Sequence, residues 1–278
     1  MTRLLVRGGL SALALVTGIY LLLPVLVVVP TSFSASSFLK FPPEGLSTRW
    51  YQSFVDDPSW MDALSTSARV AVLSSVCSVV LGVLAALGLV RGRFPFRSGV
   101  TALVVAPIIV PYVIVGLSVY IAFLRLGLTQ TTVGMVLVHT ALAVPYVAIN
   151  VASGLATFDR RLELAAMSLG AGPVATFFRI TLPVIAPSVL AGAVFAFITS
   201  WDEVVVAIFL SGPDLSTLPV RMWSGVRVQI DPTVAAVSSL SLLATVGVFA
   251  GVGAAALARR WVRRHRAPLI VDLQGATS

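Results

Sequence analysis

The chain alternates between long apolar stretches and short polar segments, and this pattern predicts a series of membrane-spanning helices. A helix crosses a bilayer core about 30 Å thick with about 20 predominantly apolar residues. Six runs meet this length, and they cover residues 4–29, 64–90, 99–124, 132–155, 186–210 and 234–258. We therefore predict an all-α fold with six transmembrane helices.

The polar segments divide the chain into four regions. Residues 1–30 are expected to form an uncleaved N-terminal transmembrane helix, because their apolar run is too long for the core of a secretory signal. An outer loop is expected at 31–63, and a core of five transmembrane helices at 64–258. A basic cytoplasmic tail is expected at 259–278.

Residues 159–187, which we call the elbow, form a segment of mixed polarity inside the core region. They predict two short helices joined at a glycine turn. Gly170 can end the first helix in a left-handed cap, and Pro173 suits the first turn of the second helix. Four apolar residues share one face of the first helix at helical spacing: Leu162, Ala165, Ala166 and Leu169. An elbow with an apolar face is expected to dock onto another protein.

Composition and charge restrict the class of protein and give its orientation. With 58% hydrophobic residues, 11% charged residues and a mean hydropathy of +0.99, the chain is not a soluble domain. If both termini are cytoplasmic, the inner segments hold thirteen basic and three acidic residues, whereas the outer side holds six basic and eight acidic. Because this asymmetry follows the positive-inside rule, the net charge of +8 needs no nucleic-acid partner.

The fifth apolar run carries Trp201, Asp202 and Glu203, and ionisable residues inside a membrane are functional candidates. Adjacent positions on a helix point about 100° apart, so the two carboxylates cannot face the same site. These three residues are predicted to lie on a solute pathway. We favour Asp202 as the carboxylate that faces it, with Trp201 beside it, and Glu203 as the alternative stays open. Glu203 is expected to pair nearby, with Arg221 or Arg227 as its partner.

The fourth run contains His139 and Asn150, which also lie at membrane depth. Polar side chains in transmembrane helices often form hydrogen bonds across helices. We favour that role for both residues over direct contact with a solute.

Several kinds of chemistry are absent from the sequence. Lys40 is the only lysine and follows Leu39, so the chain has no phosphate-binding Gly-Lys loop, and no cofactor is expected. Cys77 is the only cysteine, and we predict no metal site. An intramembrane serine hydrolase is unfavourable because Ser153 and His139 lie about 21 Å apart along one helix. No catalytic residue is therefore predicted.

The elbow also carries a recognisable motif. Its spacing Ala165-Ala166-x3-Gly170-x9-Ile180-x-Leu182-Pro183 resembles the signature loop of permease subunits in binding-protein-dependent ABC importers. In that family the loop forms a coupling helix that sits in a groove of a cytoplasmic ATPase. The family pattern opens Glu-Ala-Ala, whereas this chain has Leu164 at that position, and whether Glu163 replaces the glutamate stays open. The resemblance implies six ATPase-coupling residues: Arg160, Glu163, Leu164, Ala165, Ala166 and Gly170.

Three outer segments, WDEVVVAIFLSGP, TLPVRMWSGVR and IDPTVAA, are similar to permeases of the spermidine/putrescine type. This resemblance implies the type I importer permease fold in the bacterial inner membrane. It also implies a second permease subunit, two ABC ATPase subunits that bind the ATP, and an extracytoplasmic substrate-binding protein. The predicted function is ATP-driven import of a small cationic solute, foremost a polyamine. The same architecture with another solute, such as an amino-acid derivative, iron or sulfate, stays open, as does a secondary transporter.

Overall fold

The computed structural model describes residues 2–38, 40–228 and 231–265. In these ranges the chain is helical and contains no β-strand, only the isolated bridges Ser34–Leu46 and Gly212–Leu215. The α-helices are α1 (Thr2–Ser32), α2 (Arg49–Asp56), α3 (Pro58–Arg91), α4 (Arg97–Ile109), α5 (Tyr112–Leu126), α6 (Thr132–Ala156), α7 (Arg161–Ser168), α8 (Pro173–Thr176), α9 (Leu182–Trp201), α10 (Val205–Leu210), α11 (Leu218–Val228) and α12 (Thr233–His265). A π-helical turn, Phe177–Thr181, connects α8 to α9.

The number of spans agrees with the sequence pattern, and the prediction of an all-α membrane fold is confirmed. Five helical stretches in the described ranges are long and apolar enough to cross a membrane, and α4 with α5 supplies a sixth span if the pair counts as one. The third predicted span, 99–124, is not one continuous helix, because α4 and α5 meet at an angle of 104°. The chain is extended at Val110 and Pro111, where the proline disfavours helical backbone at the residue before it.

The fifth predicted span, 186–210, is also interrupted. The helix α9 begins at Leu182 and ends at Trp201, and α10 begins only at Val205. Asp202 therefore follows the last residue of α9, and it does not lie inside a continuous helix as the sequence pattern suggested.

Two region boundaries also differ from the prediction. The outer loop 31–63 contains α2, and α3 begins at Pro58 instead of residue 64. Asp57 caps α3 by accepting a hydrogen bond of 2.8 Å from the Ser59 backbone N–H, and Pro58 occupies the first helical position. At the other end α12 continues to His265, so the first part of the predicted tail 259–278 is helical, and residues 266–278 lie outside the described ranges.

The helices α3, α6 and α9 pack against one another and form the centre of the molecule. Their close approach depends on glycine: Gly82 of α3 and Gly192 of α9 both face the buried Val147 of α6. The helices α3 and α9 each run between two ends of this bundle. The end that carries Arg91 and the elbow is called the basic end here, and the end that carries Asp202 is called the outer end.

Candidate functional site

At the outer end, the break between α9 and α10 is stabilised by Glu203. Its carboxylate oxygens accept hydrogen bonds from the backbone N–H groups of Val206 (2.7 Å) and Ala207 (2.8 Å). A carboxylate is favourable there because the first N–H groups of a helix have no partner within the helix. Glu203 is 5% exposed, so its side chain is committed to capping α10.

The expected pairing of Glu203 with Arg221 or Arg227 is wrong. Arg221 lies over the Trp60 ring at 4.8 Å and donates a hydrogen bond of 3.2 Å to Ser59 Oγ. Arg227 lies over the Trp223 ring at 5.5 Å. Glu203 finds backbone donors instead because the helix breaks beside it, and the sequence pattern did not show that break.

The prediction that Asp202 and Glu203 cannot face the same site is wrong, because both residues line one cavity. Asp202 follows the last residue of α9, so the separation of about 100° between helical neighbours does not apply to it. Its side chain is exposed, and within the described ranges no salt bridge involves its carboxylate. It lines a cavity of about 290 Å³, which we call the pathway cavity. The pathway cavity is lined by Tyr112, Tyr146, Ile198, Thr199, Asp202, Glu203, Val204 and Val205.

Tyr112 and Tyr146 were not predicted as site residues. Tyr112 reaches the cavity because the break at Pro111 begins α5 there, and Tyr146 projects from the centre of α6. The signal that could have identified Tyr112 is the pair Pro107 and Pro111, since prolines interrupt transmembrane helices. A carboxylate beside two phenol rings is a suitable environment for an organic cation.

Trp201 lies on the other side of Asp202. It is 8% exposed and stacks on Phe197 with 5.7 Å between the ring centroids. With Asp202 it lines a second cavity of about 370 Å³, together with Met222 and Trp223 of α11. Trp201 is therefore mainly a packing residue that borders this second cavity, whereas Asp202 borders both cavities.

A buried polar network lies directly behind Asp202. Ser74 Oγ of α3 donates to Ser200 Oγ of α9 at 2.9 Å, and Ser200 Oγ lies 2.8 Å from His139 Nδ1 of α6. His139 Nε2 lies 3.8 Å from Glu203 Oε2, which favours the tautomer with its proton on Nε2. His139 therefore forms a hydrogen bond across helices, as expected, whereas Asn150 donates to the Tyr146 carbonyl of its own helix at 2.8 Å.

Ser200, His139 and Glu203 have the residue types of a hydrolase triad, but their surroundings do not suit that chemistry. Each of the three is less than one-tenth exposed, so a substrate carbonyl has no access to Ser200 Oγ. The Glu203 carboxylate is already used by the α10 backbone. Ser153, the serine considered from the sequence, donates to the Ile149 carbonyl of its own helix at 3.0 Å.

At the basic end, the glycine turn of the elbow forms as predicted. Gly170 has φ +90°, a conformation that side chains disfavour. The Ala171 N–H bonds to the Ala166 carbonyl and the Gly170 N–H to the Met167 carbonyl, each at 3.0 Å, which is the Schellman pattern of helix ends. After Pro173 the second helix is not uniform, because the π-helical turn lies between α8 and α9.

The elbow presents an apolar surface. Arg160, Leu164, Ala165 and Gly170 are exposed and Ala166 is half-buried, which leaves five of the six predicted coupling residues accessible. Exposed apolar side chains continue across α7, the turn and the second helix: Leu162, Leu164, Met167, Leu169, Val174 and Phe178. Exposed apolar side chains in this number are typical of surfaces that contact another protein or a membrane.

Glu163 is the exception among the predicted coupling residues. It is 7% exposed and points toward the helix bundle, where its Oε1 lies 2.8 Å from Arg91 Nη2. Its neighbour Leu164 is 60% exposed on the surface of the elbow. Glu163 therefore has its partners within this chain and does not belong to the exposed apolar surface.

Comparison with known proteins agrees with this architecture. Residues 78–264 match the family described as "Binding-protein-dependent transport system inner membrane component". The chain is 37% identical over 254 residues to the putrescine transport system permease protein PotI of Escherichia coli K12, covering 89% of this chain and 90% of PotI. It is 31% identical over 239 residues to the spermidine/putrescine transport system permease protein PotC of the same organism, covering 86% of this chain and 89% of PotC.

A solved structure supports the fold independently. A chain from a bacterial ABC transporter involved in the import of the acidic polysaccharide alginate superimposes with a TM-score of 0.69 at 15% sequence identity. The match covers 89% of this chain and 95% of the other. At this identity the likeness concerns the helical architecture.

Proposed function

Because the chain belongs to the inner membrane component family of binding-protein-dependent transport systems, we propose that it is the permease subunit of an ATP-driven importer for a polyamine. Its relatives PotI and PotC are named for putrescine and for spermidine/putrescine transport. These solutes are flexible chains with ammonium groups. They match a site with a carboxylate and aromatic rings better than they match an apolar or basic site.

The observation that carries the substrate class is the position of Asp202. Its exposed carboxylate borders the pathway cavity next to Tyr112 and Tyr146, and it has no salt bridge in the described part of the chain. A carboxylate inside a membrane protein is costly unless it meets a cation or water. An ammonium group that passes Asp202 supplies that charge, and the two phenol rings offer it cation–π contacts.

The exposed surface of the elbow supports one of the proposed partners. The apolar patch around Leu169, which is 90% exposed, is the proposed docking site of an ABC ATPase subunit. A second permease subunit completes the pathway and brings a second ATPase subunit. An extracytoplasmic binding protein delivers the solute to the outer end.

The proposed mechanism uses the direct connection between the two sites. The helix α9 runs from the π-helical turn of the elbow to Trp201, and its 20 residues span about 30 Å. Displacement of the elbow by an ATPase therefore reaches the residue next to Asp202 through one helix. ATP drives transport if it binds more favourably to the complex in one of two pathway conformations.

The test of this function is uptake of labelled putrescine into proteoliposomes that hold the complete complex and its binding protein. We expect Asp202→Asn to lower uptake about tenfold to a hundredfold, since a hydrogen bond to a charged group contributes roughly 1.5–3 kcal/mol. The control is Asp214→Asn, which removes the same charge at an exposed position of the outer end. Equal putrescine uptake by Asp202→Asn and the wild type would refute the role of the carboxylate.

A further inference from the structure

Glu163 is a charged side chain buried at the junction of three structural segments. It lies on α7, and its Oε1 is 2.8 Å from Nη2 of Arg91, the last residue of α3. The same oxygen accepts a hydrogen bond from Thr181 Oγ1, and Thr181 ends the π-helical turn that leads into α9. Thr181 is fully buried. One carboxylate therefore links the first helix of the elbow to α3 and to α9.

The guanidinium of Arg91 has two further contacts besides Glu163. Arg91 lies in the last turn of α3, where the helix dipole favours a cation. Its guanidinium also lies 5.7 Å from the centre of the Phe158 ring. The Glu163 side of this pair is buried, whereas Arg91 is half-buried. Removing Arg91 would therefore be costly, because the carboxylate would stay buried without its charged partner.

The same two helices are linked again at the outer end. Ser74 of α3 and Ser200 of α9 share a hydrogen bond of 2.9 Å. These residues lie about 25 Å from Arg91 along α3 and about 28 Å from Thr181 along α9. The helices α3 and α9 are thus connected by polar contacts near both ends, with Glu163 at the basic end and Asp202 two residues beyond Ser200.

From this geometry we propose that Glu163 is a positioning residue that transmits motion of the elbow to α3 and α9 without touching the ATPase. The proposal rests on the proposed function, since it assumes that an ATPase binds the elbow. The exposed apolar residues of the elbow supply the docking surface. Glu163, Arg91 and Thr181 fix that surface to the two helices that lead to the outer end.

The experiment measures two quantities in the reconstituted complex: the amount of ATPase that copurifies with this chain, and the solute transported per ATP hydrolysed. For Glu163→Gln, which keeps the side-chain shape, we expect ATPase retention to be unchanged. Solute transported per ATP should fall about tenfold, which is a typical loss for one coupling interaction. Thr181→Val, which removes only a hydroxyl group, should give a smaller decrease of the same ratio.

A charge exchange tests whether the pair itself is responsible. Glu163→Arg and Arg91→Glu should each lower the transport ratio, and the two changes together should recover part of it. The control is Arg93→Gln, which removes an exposed charge two residues after Arg91 and should behave as the wild type.

Three outcomes would overturn the proposal. Loss of ATPase from the complex with Glu163→Gln would identify Glu163 as a docking residue. A wild-type ratio of solute transported per ATP in Glu163→Gln would show that the pair only stabilises the fold. A charge-exchanged double variant with a ratio no higher than that of either single variant would show that the Glu163–Arg91 pair does not transmit the motion. Failure of the proposed function is a different result, in which the wild-type chain itself retains no ATPase.

Discussion

At the scale of residues, two neighbouring carboxylates have different tasks. Both border the pathway cavity, but Glu203 is buried and caps α10, whereas Asp202 is exposed. His139 lies behind both residues and bonds to Ser200, the residue two positions before Asp202. The direction of Asp202 therefore depends on buried groups that have no contact with the solute in the proposed mechanism.

Replacing His139 should weaken the hydrogen-bond network that His139 forms with Ser200. His139→Leu removes the acceptor of Ser200 Oγ and leaves a buried hydroxyl without its partner, at a cost of about 1 kcal/mol. We expect a lower midpoint of thermal unfolding in detergent, and His139→Asn, which retains a polar group, should lose less. Ser153→Ala on the same helix is the control, since Ser153 is exposed and bonds only to its own helix. A midpoint for His139→Leu equal to that of the control would contradict the role of the network.

At the scale of elements, the central helices approach closely because glycines of α3 and α9 face Val147 of α6. A Cβ atom added at Gly82 of α3 would lie 2.5 Å from Val147 Cβ, and one at Gly192 of α9 would lie 2.9 Å from Val147 Cα. Small residues at such contacts are typical of packing between transmembrane helices. Val147 of α6 is thus the point where all three central helices meet.

Gly82→Ala should therefore destabilise the protein by about 1–3 kcal/mol through overpacking. Gly88→Ala is the matched control on the same helix, because nothing lies within 4 Å of its added Cβ. That control should be neutral or more stable by up to about 1 kcal/mol, since alanine has the higher helix propensity. The measurement is the midpoint of unfolding for both variants and for Gly82→Ala combined with Val147→Ala. Equal midpoints for Gly82→Ala and Gly88→Ala, or additive effects of the two substitutions at the contact, would show that this contact is not tight.

Helix breaks mark the limit of what the sequence pattern could predict. Hydropathy identified each apolar run, and the glycine turn of the elbow was predicted because Gly170 and Pro173 have strong local preferences. Pro107 and Pro111 indicate a bend in the third run, but not the angle at which α5 departs or the side chains that this exposes. The break after Trp201 was not located, because apolar residues resume at Val204. Tyr112 and the α10 cap of Glu203 depend on those breaks, so the lining of the pathway cavity could not be derived from the pattern.

The burial of Glu163 was equally inaccessible from the sequence. A helix with Arg160, Arg161 and Glu163 near its start suggests that all three charges face water or a partner. The contact with Arg91 joins positions 72 residues apart in the chain, and no local pattern encodes such a pairing. The prediction that Asp202 and Glu203 face different sites failed because it assumed a continuous helix, whereas Asp202 lies beyond the end of α9.

At the scale of the whole molecule, the fold places the proposed docking surface at one end and a carboxylate-lined cavity at the other. The helix α9 connects them directly, and α3 runs beside it with polar links near both ends. Exposed apolar side chains follow α1 from Leu10 to Leu26 and cover one face of α5, as is usual for surfaces in contact with lipid or with another transmembrane subunit. This arrangement suits a subunit that moves solute with energy from a partner.

The central claim is that force from an ATPase enters at the elbow and drives solute past Asp202. The most direct measurement compares putrescine uptake by proteoliposomes that contain both permease subunits, with active ATPase subunits, with hydrolysis-deficient ATPase subunits, or with none. Accumulation against a gradient is predicted only with active ATPase and ATP. Uptake at the same rate by vesicles that lack any ATPase would contradict the account.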